Sequence, residues 1–296
     1  DDDTTGEITL DRDYYGEGSE ITISKSITIN GNGHTLDAKG LSRIFNVQSG
    51  TVVLDNLSLV NGNSDSYGGA AYFQSGSTCT VRNCNFTGNT AKDDGGAVYF
   101  SDAGNVTDCS FSDNTATGYG SAVRMLSGRV SNSNFTDNMG DHGAVNLGSG
   151  NVDNCNFVNN AASNDGGAVY IFKTGAVTNC TFTNNTAKSG NAIFISKGNV
   201  SGCDFRNNYI SKGAIHSVSG NITLSDNILD DNDVIESNNF AYIQNLIDKA
   251  NSGDTILING SYYGFGIPIR ITKSLTLIGQ NNAILDPKKL SKILYI

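Results

Sequence analysis

The sequence predicts an all-β chain, a right-handed parallel β-helix. This is a solenoid with three short strands per coil and a short capping helix near residue 245. Three observations carry the prediction. F-x-x-N recurs at Phe86/Asn89, Phe111/Asn114, Phe135/Asn138, Phe157/Asn160, Phe182/Asn185 and Phe205/Asn208, in steps of 22 to 25 residues. The alanine of a G-G-A element keeps step at Ala70, Ala97, Ala122, Ala144, Ala168, Ala192 and Ala214. A G-N-V element or a relative of it adds Val106, Val130, Val152, Val177, Val200 and Ile222. Three markers in lockstep at this period mean one coil per repeat.

The interior of each repeat selects the kind of coil. A leucine-rich repeat would need an L-x-x-L-x-L frame, which is absent. Each repeat instead holds three β-type segments parted by Gly, Asn, Asp and Ser; in one repeat these are 97–100, 105–107 and 109–111. Three strands and three turns per coil stack through parallel ladders about 4.8 Å apart. Such ladders use every backbone N–H, and both prolines, Pro268 and Pro287, lie beyond the repeats.

In chain order, 7–45 is an irregular opening with strand-like alternation over 21–29 and a turn at Gly31–Gly33. Residues 44–63 bring in the rhythm, with Leu57 and Leu59 in the Cys and Phe places. Regular coils follow to about 233, where Leu229/Asn232 is a worn F-x-x-N. Then Phe240, Ile243, Ile247 and Ala250 fall on one helical stripe, with Asn239 as N-cap and Gly253 past the end. After the helix, 255–294 repeats the opening of the chain, with one insertion at Gln280. Tyr14/Tyr262, Tyr15/Tyr263, Lys25/Lys273, Gly31/Gly279 and Asp37/Asp286 are among the matches. We therefore expect two domains. Residues 1–237 form a β-helix of about ten coils, and 238–296 form a capping helix with the first coils of an incomplete second unit. The helix should cover the open end of that second stack, and a matching helix for the first unit is expected ahead of Asp1.

Composition excludes several functions. A net charge of −10 with 19 scattered basic residues argues against nucleic acid. No apolar run approaches spanning length, so no membrane insertion of this segment is expected. Of six cysteines, Cys84, Cys109, Cys155, Cys180 and Cys203 each lie two residues before a repeat phenylalanine, with Ser133 in the missing rank. Period two puts them on the core face as a column of free thiols. Stacked Cβ vectors run parallel, which opposes disulfides, and no C-x-x-C or neighbouring His supports zinc.

F-x-x-N alternating with G-G-A-[IV] resembles the repeats of chlamydial polymorphic outer-membrane proteins. The opening K-S-I-T-I-N-G-N-G-H-T-L-D followed by such repeats resembles the adhesin-like surface proteins of methanogenic archaea. The resemblance covers nearly the whole chain. It implies a β-helix displayed at the cell surface or extracellularly, an adhesive role, and a surface glycan or protein of a neighbouring cell as partner. G-G-A is complete only at Gly68–Ala70, Gly95–Ala97 and Gly166–Ala168; elsewhere it reads G-S-A, H-G-A, G-N-A or K-G-A.

Parallel β-helices also host polysaccharide lyases and hydrolases, which need carboxylates on neighbouring coils beside a base. The residues three before each alanine are Tyr67, Asp94, Tyr119, Asp141, Asp165, Ser189 and Ser211. Asp141 and Asp165 are the candidate pair to share a calcium ion on adjacent coils. Otherwise, Asp before Gly-Gly satisfies turn N–H groups. No Arg or Lys recurs beside them, and His34, His142 and His216 form no catalytic spacing. We therefore expect no enzyme, no catalytic residue and no cofactor, calcium being the one cation the pair could hold. Nine N-x-[ST] sequons permit glycosylation (Asn56, Asn85, Asn105, Asn134, Asn179, Asn184, Asn199, Asn221, Asn259).

The candidate binding face follows from strand parity. After each G-G-A, Val98/Phe100, Val123/Met125, Val145/Leu147, Val169/Ile171 and Ile193/Ile195 face the core. The residues between vary: Tyr72, Tyr99, Arg124, Asn146, Tyr170, Phe194 and His216. By the same parity the repeat alanines should point out, unless the Gly-Gly turn breaks the alternation. We take Tyr72, Tyr99, Arg124, Tyr170, Phe194 and His216 as candidate binding residues on an outward column. Such rings can stack on sugars or anchor a protein; they can also stack on each other and stabilise the sheet. The expected function is that of a monomeric, non-catalytic cell-surface adhesin. The alternatives are a carbohydrate-active β-helix enzyme and a purely structural wall stalk.

Overall fold

A computed structural model describes residues 6–208, 213–217, 221–229, 235–237, 240–263, 268–286 and 292–295. Ser211, Asn232, Asn239 and Pro287 of the sequence analysis lie outside these residues. Among the described residues the architecture is all-β, a parallel solenoid of about ten turns with one short helix. Neighbouring strands in each sheet are counterparts from successive coils.

The phenylalanine wall is the most regular. Ten strands, from Tyr14–Tyr15 to Ile228–Leu229, follow one another in coil order. Phe86, Phe111, Phe135, Phe157, Phe182 and Phe205 pair in register, with Leu59 ahead of them. Strand spacing dictates the ring spacing. Successive centroids are 4.7–5.0 Å apart, and the rings lie within 9° of parallel.

The asparagine of F-x-x-N turns out to be a buried ladder. Asn89, Asn114, Asn138, Asn160, Asn185 and Asn208 are fully buried. Asn114 is representative. Its Nδ2 donates to Asn138 Oδ1 (2.9 Å) and to Phe86 O (3.1 Å), while its Oδ1 accepts from Asn89 N and Asn89 Nδ2 (both 3.0 Å). One amide side chain thus satisfies side-chain and backbone groups of both adjoining coils. The residue before each ladder asparagine has positive φ and is Asn, Asp or Gly: Gly88, Asp113, Asp137, Asn159, Asn184 and Asn207. A second left-handed series (Asn56, Asn83, Asp108, Asn132, Asn154, Asn179) precedes the Cys rank. The sequon residues Asn56, Asn179 and Asn184 therefore already have a structural reason to be asparagine.

Two details depart from three strands per coil. From residue 98 to 201 the first two segments run as one strand, as in Val98–Thr107 and Val169–Thr178, whereas the preceding coil keeps Ala71–Phe73 apart from Ser77–Arg82. A bulge between Phe100 and Ala103 turns the corner without ending the strand. Among the described residues, five coils also carry an additional short strand after the ladder rank, which Gly62 opens: Asn63–Ser64, Thr90–Ala91, Thr115–Ala116, Met139–His142 and Ala161–Asp165.

The other markers acquire physical reasons. In G-N-V, Gly104, Gly128, Gly150, Gly175 and Gly198 stack in register. A Cβ on Gly128 or Gly150 would strike the carbonyl oxygen of the glycine one coil back. The valine rank passes from Val200 to Leu224, not to Ile222, which pairs with Gly198. The slip is two residues, so period two keeps Ile222 buried. In G-G-A the left-handed residue is the first glycine (Gly68, Gly95, Gly166), and in H-G-A it is Gly143. The repeat alanines are all buried, contrary to simple parity. Ala97 N and Val98 N both donate to Ala122 O (3.1 and 2.9 Å), and this bulge resets the alternation as the strand begins.

All six cysteines are free and buried. In the column, each Sγ donates to a carbonyl two residues back, as Cys84 does to Arg82 O (3.0 Å). Burial pushes the Cys79 thiol up to about 11 and raises Cys109 as well. A thiol with little thiolate at neutral pH is a poor nucleophile. All six thiols are also shut away from solvent, so dithionitrobenzoate should react with less than one thiol of the folded chain at pH 8, and with six in denaturant.

The helix Phe240–Lys249 buries Phe240, Ile243 and Ile247 against Ile256, Ile258, Tyr262 and Ile269, a core separate from that of the main solenoid. The parallel pairing of Thr255–Tyr263 with Thr276–Asp286 repeats that of the opening coils. Ile256↔Leu277 and Tyr262↔Leu285 correspond to Ile8↔Ile29 and Tyr14↔Leu36.

Candidate functional site

The wall that follows G-G-A positions the candidate residues. Its register runs Thr22, Asn46, Tyr72, Tyr99, Arg124, Asn146, Tyr170, Phe194, His216, with each residue paired to the next. The sequence-predicted column is thus brought together on the side of the sheet away from the core. It is not an open face, however. Tyr72, Tyr99, Arg124 and Tyr170 are half-buried, while Asn146, Phe194 and His216 are buried.

The cover comes from the segment before each G-G-A, which sequence parity could not place. Tyr67 stacks on Tyr99 with centroids 4.5 Å apart and tilts against Tyr72 at 5.7 Å. Tyr119 stacks on His142 at 4.7 Å, and His142 meets Tyr170 edge-on at 5.0 Å. Tyr170 stacks on Phe194 at 4.6 Å, and Phe194 on His216 at 5.2 Å. The result is an aromatic band along the coils in two clusters, with Arg124 and Asn146 between them. Arg124 lies 5.9 Å over the Tyr119 ring, and its Nη1 donates to Met125 O. Tyr119 is the band residue most open to solvent, 42% exposed.

Arg43, unremarked in the sequence, anchors the first cluster. Its guanidinium sits 5.2 Å over Tyr72, donates to Glu20 Oε2 (2.8 Å), and reaches Tyr67 O and Gly68 O (both 3.0 Å). Those two carbonyls tie it to the turn that carries Tyr67. Asn46 Nδ2 donates to the other oxygen of Glu20, so both carboxylate oxygens are satisfied from the next coil. Burial raises the phenols of Tyr99 and Tyr170, leaving both as neutral donors. Neutral hydroxyls on half-buried rings suit recognition of polar, flat-faced groups.

The carboxylate row differs from the expected one. His142, not Asp141, is in rank with Tyr119 and with Asp165, which in turn bridges Ser189. H-G-A is one residue shorter than G-x-A in its turn, so counting back three residues overshoots by one. His142 Nδ1 lies 3.0 Å from Asp141 Oδ2, and Nε2 lies 3.6 Å from Asp165 Oδ2. Asp141 Oδ1 also accepts from Ser163 Oγ and Asn164 Nδ2. An imidazole thus stands between the two carboxylates proposed to share a cation. Among the described residues, no group of three or more His, Cys, Asp or Glu side chains is arranged to hold a metal. His34 donates its backbone N–H to Gly31 O in its turn, with its ring 3.3 Å from Asp13.

Asp94 faces the band from the same rank and accepts from Tyr119 N (2.8 Å). Burial raises its carboxyl above the ordinary range, against smaller lowering by the Tyr119 N–H and Arg124. The folded chain then keeps this proton to higher pH than the unfolded chain, so stability falls as pH rises through the folded-state pKa. Asp94→Asn retains the Oδ1 acceptor. It should raise the melting temperature at pH 7 and give no advantage near pH 3, where both states are protonated.

Comparison with known families agrees with this geometry in two places. Residues 1–92 match the profile of a putative pectate lyase-like adhesive domain, and 179–196 match that of the Chlamydia polymorphic membrane protein repeat. The second match spans the ladder residue Asn185 and the G-N-A turn at Gly190–Ala192. No curated protein and no solved structure matches the chain. The chain is similar to a pectate-lyase-like adhesive domain in its opening coils and to a chlamydial membrane-protein repeat in a later one.

Proposed function

We propose that the chain is part of a cell-surface adhesin that attaches, as a non-catalytic monomer, to a glycan or protein on a neighbouring cell. The observation that carries the proposal is the aromatic band. Rings from eight residues and the Arg124 guanidinium lie along one side of successive coils, with Tyr119 the most open to solvent. The adhesive and polymorphic-membrane-protein matches support it independently of that geometry. The closer resemblance of the opening K-S-I-T-I-N-G-N-G-H-T-L-D to surface proteins of methanogenic archaea belongs to the same proposal.

The test replaces Tyr99 and Tyr170 together by Ser. We expect binding to cells or to a glycan array to fall by roughly tenfold or more, with the folded population unchanged at the assay temperature. Lost stability with unchanged binding per folded molecule would leave the rings a purely structural role. The proposal needs no metal, so chelation should leave binding intact; loss on chelation would return attention to Asp141 and Asp165. Incubation with acidic polysaccharides and calcium should release no unsaturated or reducing ends, and their release would replace the adhesin by an enzyme.

A further inference from the structure

We propose that the middle of the aromatic band is a subsite for the acetyl group of a sugar, whose carbonyl oxygen takes N–H donors from Arg124 and Asn146. The proposal deepens the adhesive reading and rests on it; what it adds is the group recognised. Arg124 and Asn146 are neighbours in register, between the two ring clusters. Arg124 Nε and Asn146 Nδ2 are both shut from solvent, and neither has a hydrogen-bond partner among the described residues. Asn146 as a whole is 2% exposed. A buried N–H left unpaired destabilises the fold, so its retention calls for a reason.

The same column supplies the comparison. Asn46, earlier in it, is fully paired: its Nδ2 donates to Glu20 Oε1 (2.6 Å), and its Oδ1 accepts from Gln74 Nε2 (2.8 Å). Glu20 stands two residues before the previous column residue, Thr22, and Gln74 two residues after the next one, Tyr72. Around Asn146 those two places hold Ala122 and Phe172, whose side chains cannot hydrogen-bond an amide. One amide is thus satisfied within the chain, and the other is left for a ligand.

Three features define the group. Both orphaned atoms are donors, so it presents an acceptor oxygen. Leu126 and Phe172 follow Arg124 and Tyr170 on the outward side of their strands, 46% and 52% exposed, so apolar surface flanks the donors. Asp94, Asp141 and Asp165 stand in or beside the covering row, which opposes an anion. A neutral carbonyl oxygen joined to a methyl group meets all three conditions, and sugars carry it as N-acetyl or O-acetyl. A peptide fits less well. The strands here are paired on both sides, so an extended chain finds no open edge to join.

The experiment measures binding of the full chain to matched glycans with and without acetyl groups. The pairs are N-acetylglucosamine oligomers with their deacetylated forms, and an O-acetylated xylan before and after alkali treatment. The acetylated member of at least one pair should bind at least about tenfold more tightly, and the pair that shows it identifies the source. Phe172→Gln places beside Asn146 the side chain that satisfies Asn46. It should raise the melting temperature and cut the acetyl preference to below about threefold. Asn146→Leu should do both as well, by removing the unpaired donor. Should that core variant fail to fold, Phe172→Gln at its exposed position still decides. An unchanged preference in Phe172→Gln, or a melting temperature that falls in both variants, would overturn the inference. So would a preference for a polyuronate, or binding to a protein but to no acetylated sugar. Equal binding of acetylated and deacetylated glycans overturns this inference alone. The adhesive reading fails separately, if the Tyr99→Ser, Tyr170→Ser variant leaves binding unchanged.

Discussion

Replacing Asn138 by Asp should destabilise the solenoid by ~3–5 kcal/mol at neutral pH, although the two side chains have almost the same shape. Asn138 is fully buried in the middle of the ladder. Its Nδ2 donates to Phe111 O (3.0 Å) and Asn160 Oδ1 (2.9 Å), and its Oδ1 accepts from Asn114 N (3.1 Å) and Asn114 Nδ2 (2.9 Å). A carboxylate keeps the accepting half and loses the donating half. It sets a negative oxygen against two acceptor oxygens, with no water to screen them. Because burial would raise the new carboxyl above its unfolded value, the defect should shrink as pH falls through the folded-state pKa and one donor is restored. Urea unfolding at pH 8 and pH 4 measures this directly. Asn159→Asp is the control. That residue is an exposed left-handed turn position whose counterparts one and two coils back are Asp137 and Asp113, so the change should stay within about 0.5 kcal/mol. Equal effects at 138 and 159, or a defect that grows at low pH, would refute the donating role of the ladder.

The same contrast explains what the sequence could and could not reveal. F-x-x-N and G-N-V were readable because each marks a backbone requirement repeated once per coil. The requirements are a buried amide that serves two coils and a glycine that a carbonyl one coil back leaves no room to enlarge. The paired strands inherit their register from those constraints, so Phe86 finds Phe111 and Phe111 finds Phe135. The aromatic column was readable for the same reason, since parity alone assigns its residues to one side of a strand. Its cover was not. Tyr67 reaches Tyr99, and Tyr119 and His142 both reach Tyr170, across coils and from a different wall. Nothing in strand parity encodes how far the segment before G-G-A folds back. The misplacement of Asp141 has a smaller cause: one residue dropped from the H-G-A turn moves His142 into the rank.

Phe135→Ala should cost about 3–5 kcal/mol, toward the upper end of what truncating a buried ring removes. The ring is fully buried and lies 4.8 Å from both Phe111 and Phe157, parallel to the first and 9° from parallel to the second. How much a cavity costs depends on how far its walls can close. Here they are held. The flanking rings ride on strands in register with Asn134–Thr136, and the ladder at Asn138 clamps the turn that follows. Closing the gap would require neighbouring coils to approach below the strand spacing, which the backbone hydrogen bonds forbid. Phe135→Leu should lose much less, about 1–1.5 kcal/mol, because Leu36 and Leu59 already occupy this rank in the earlier coils. In a solenoid each coil is stabilised by its two neighbours, so the damage should be local. Hydrogen exchange should accelerate across 110–112, 134–136 and 156–158, while the ladder at 35–37 keeps its native protection. A loss below about 1 kcal/mol, or acceleration spread evenly along the chain, would mean that the walls can close and that the coils do not behave as nearest-neighbour units.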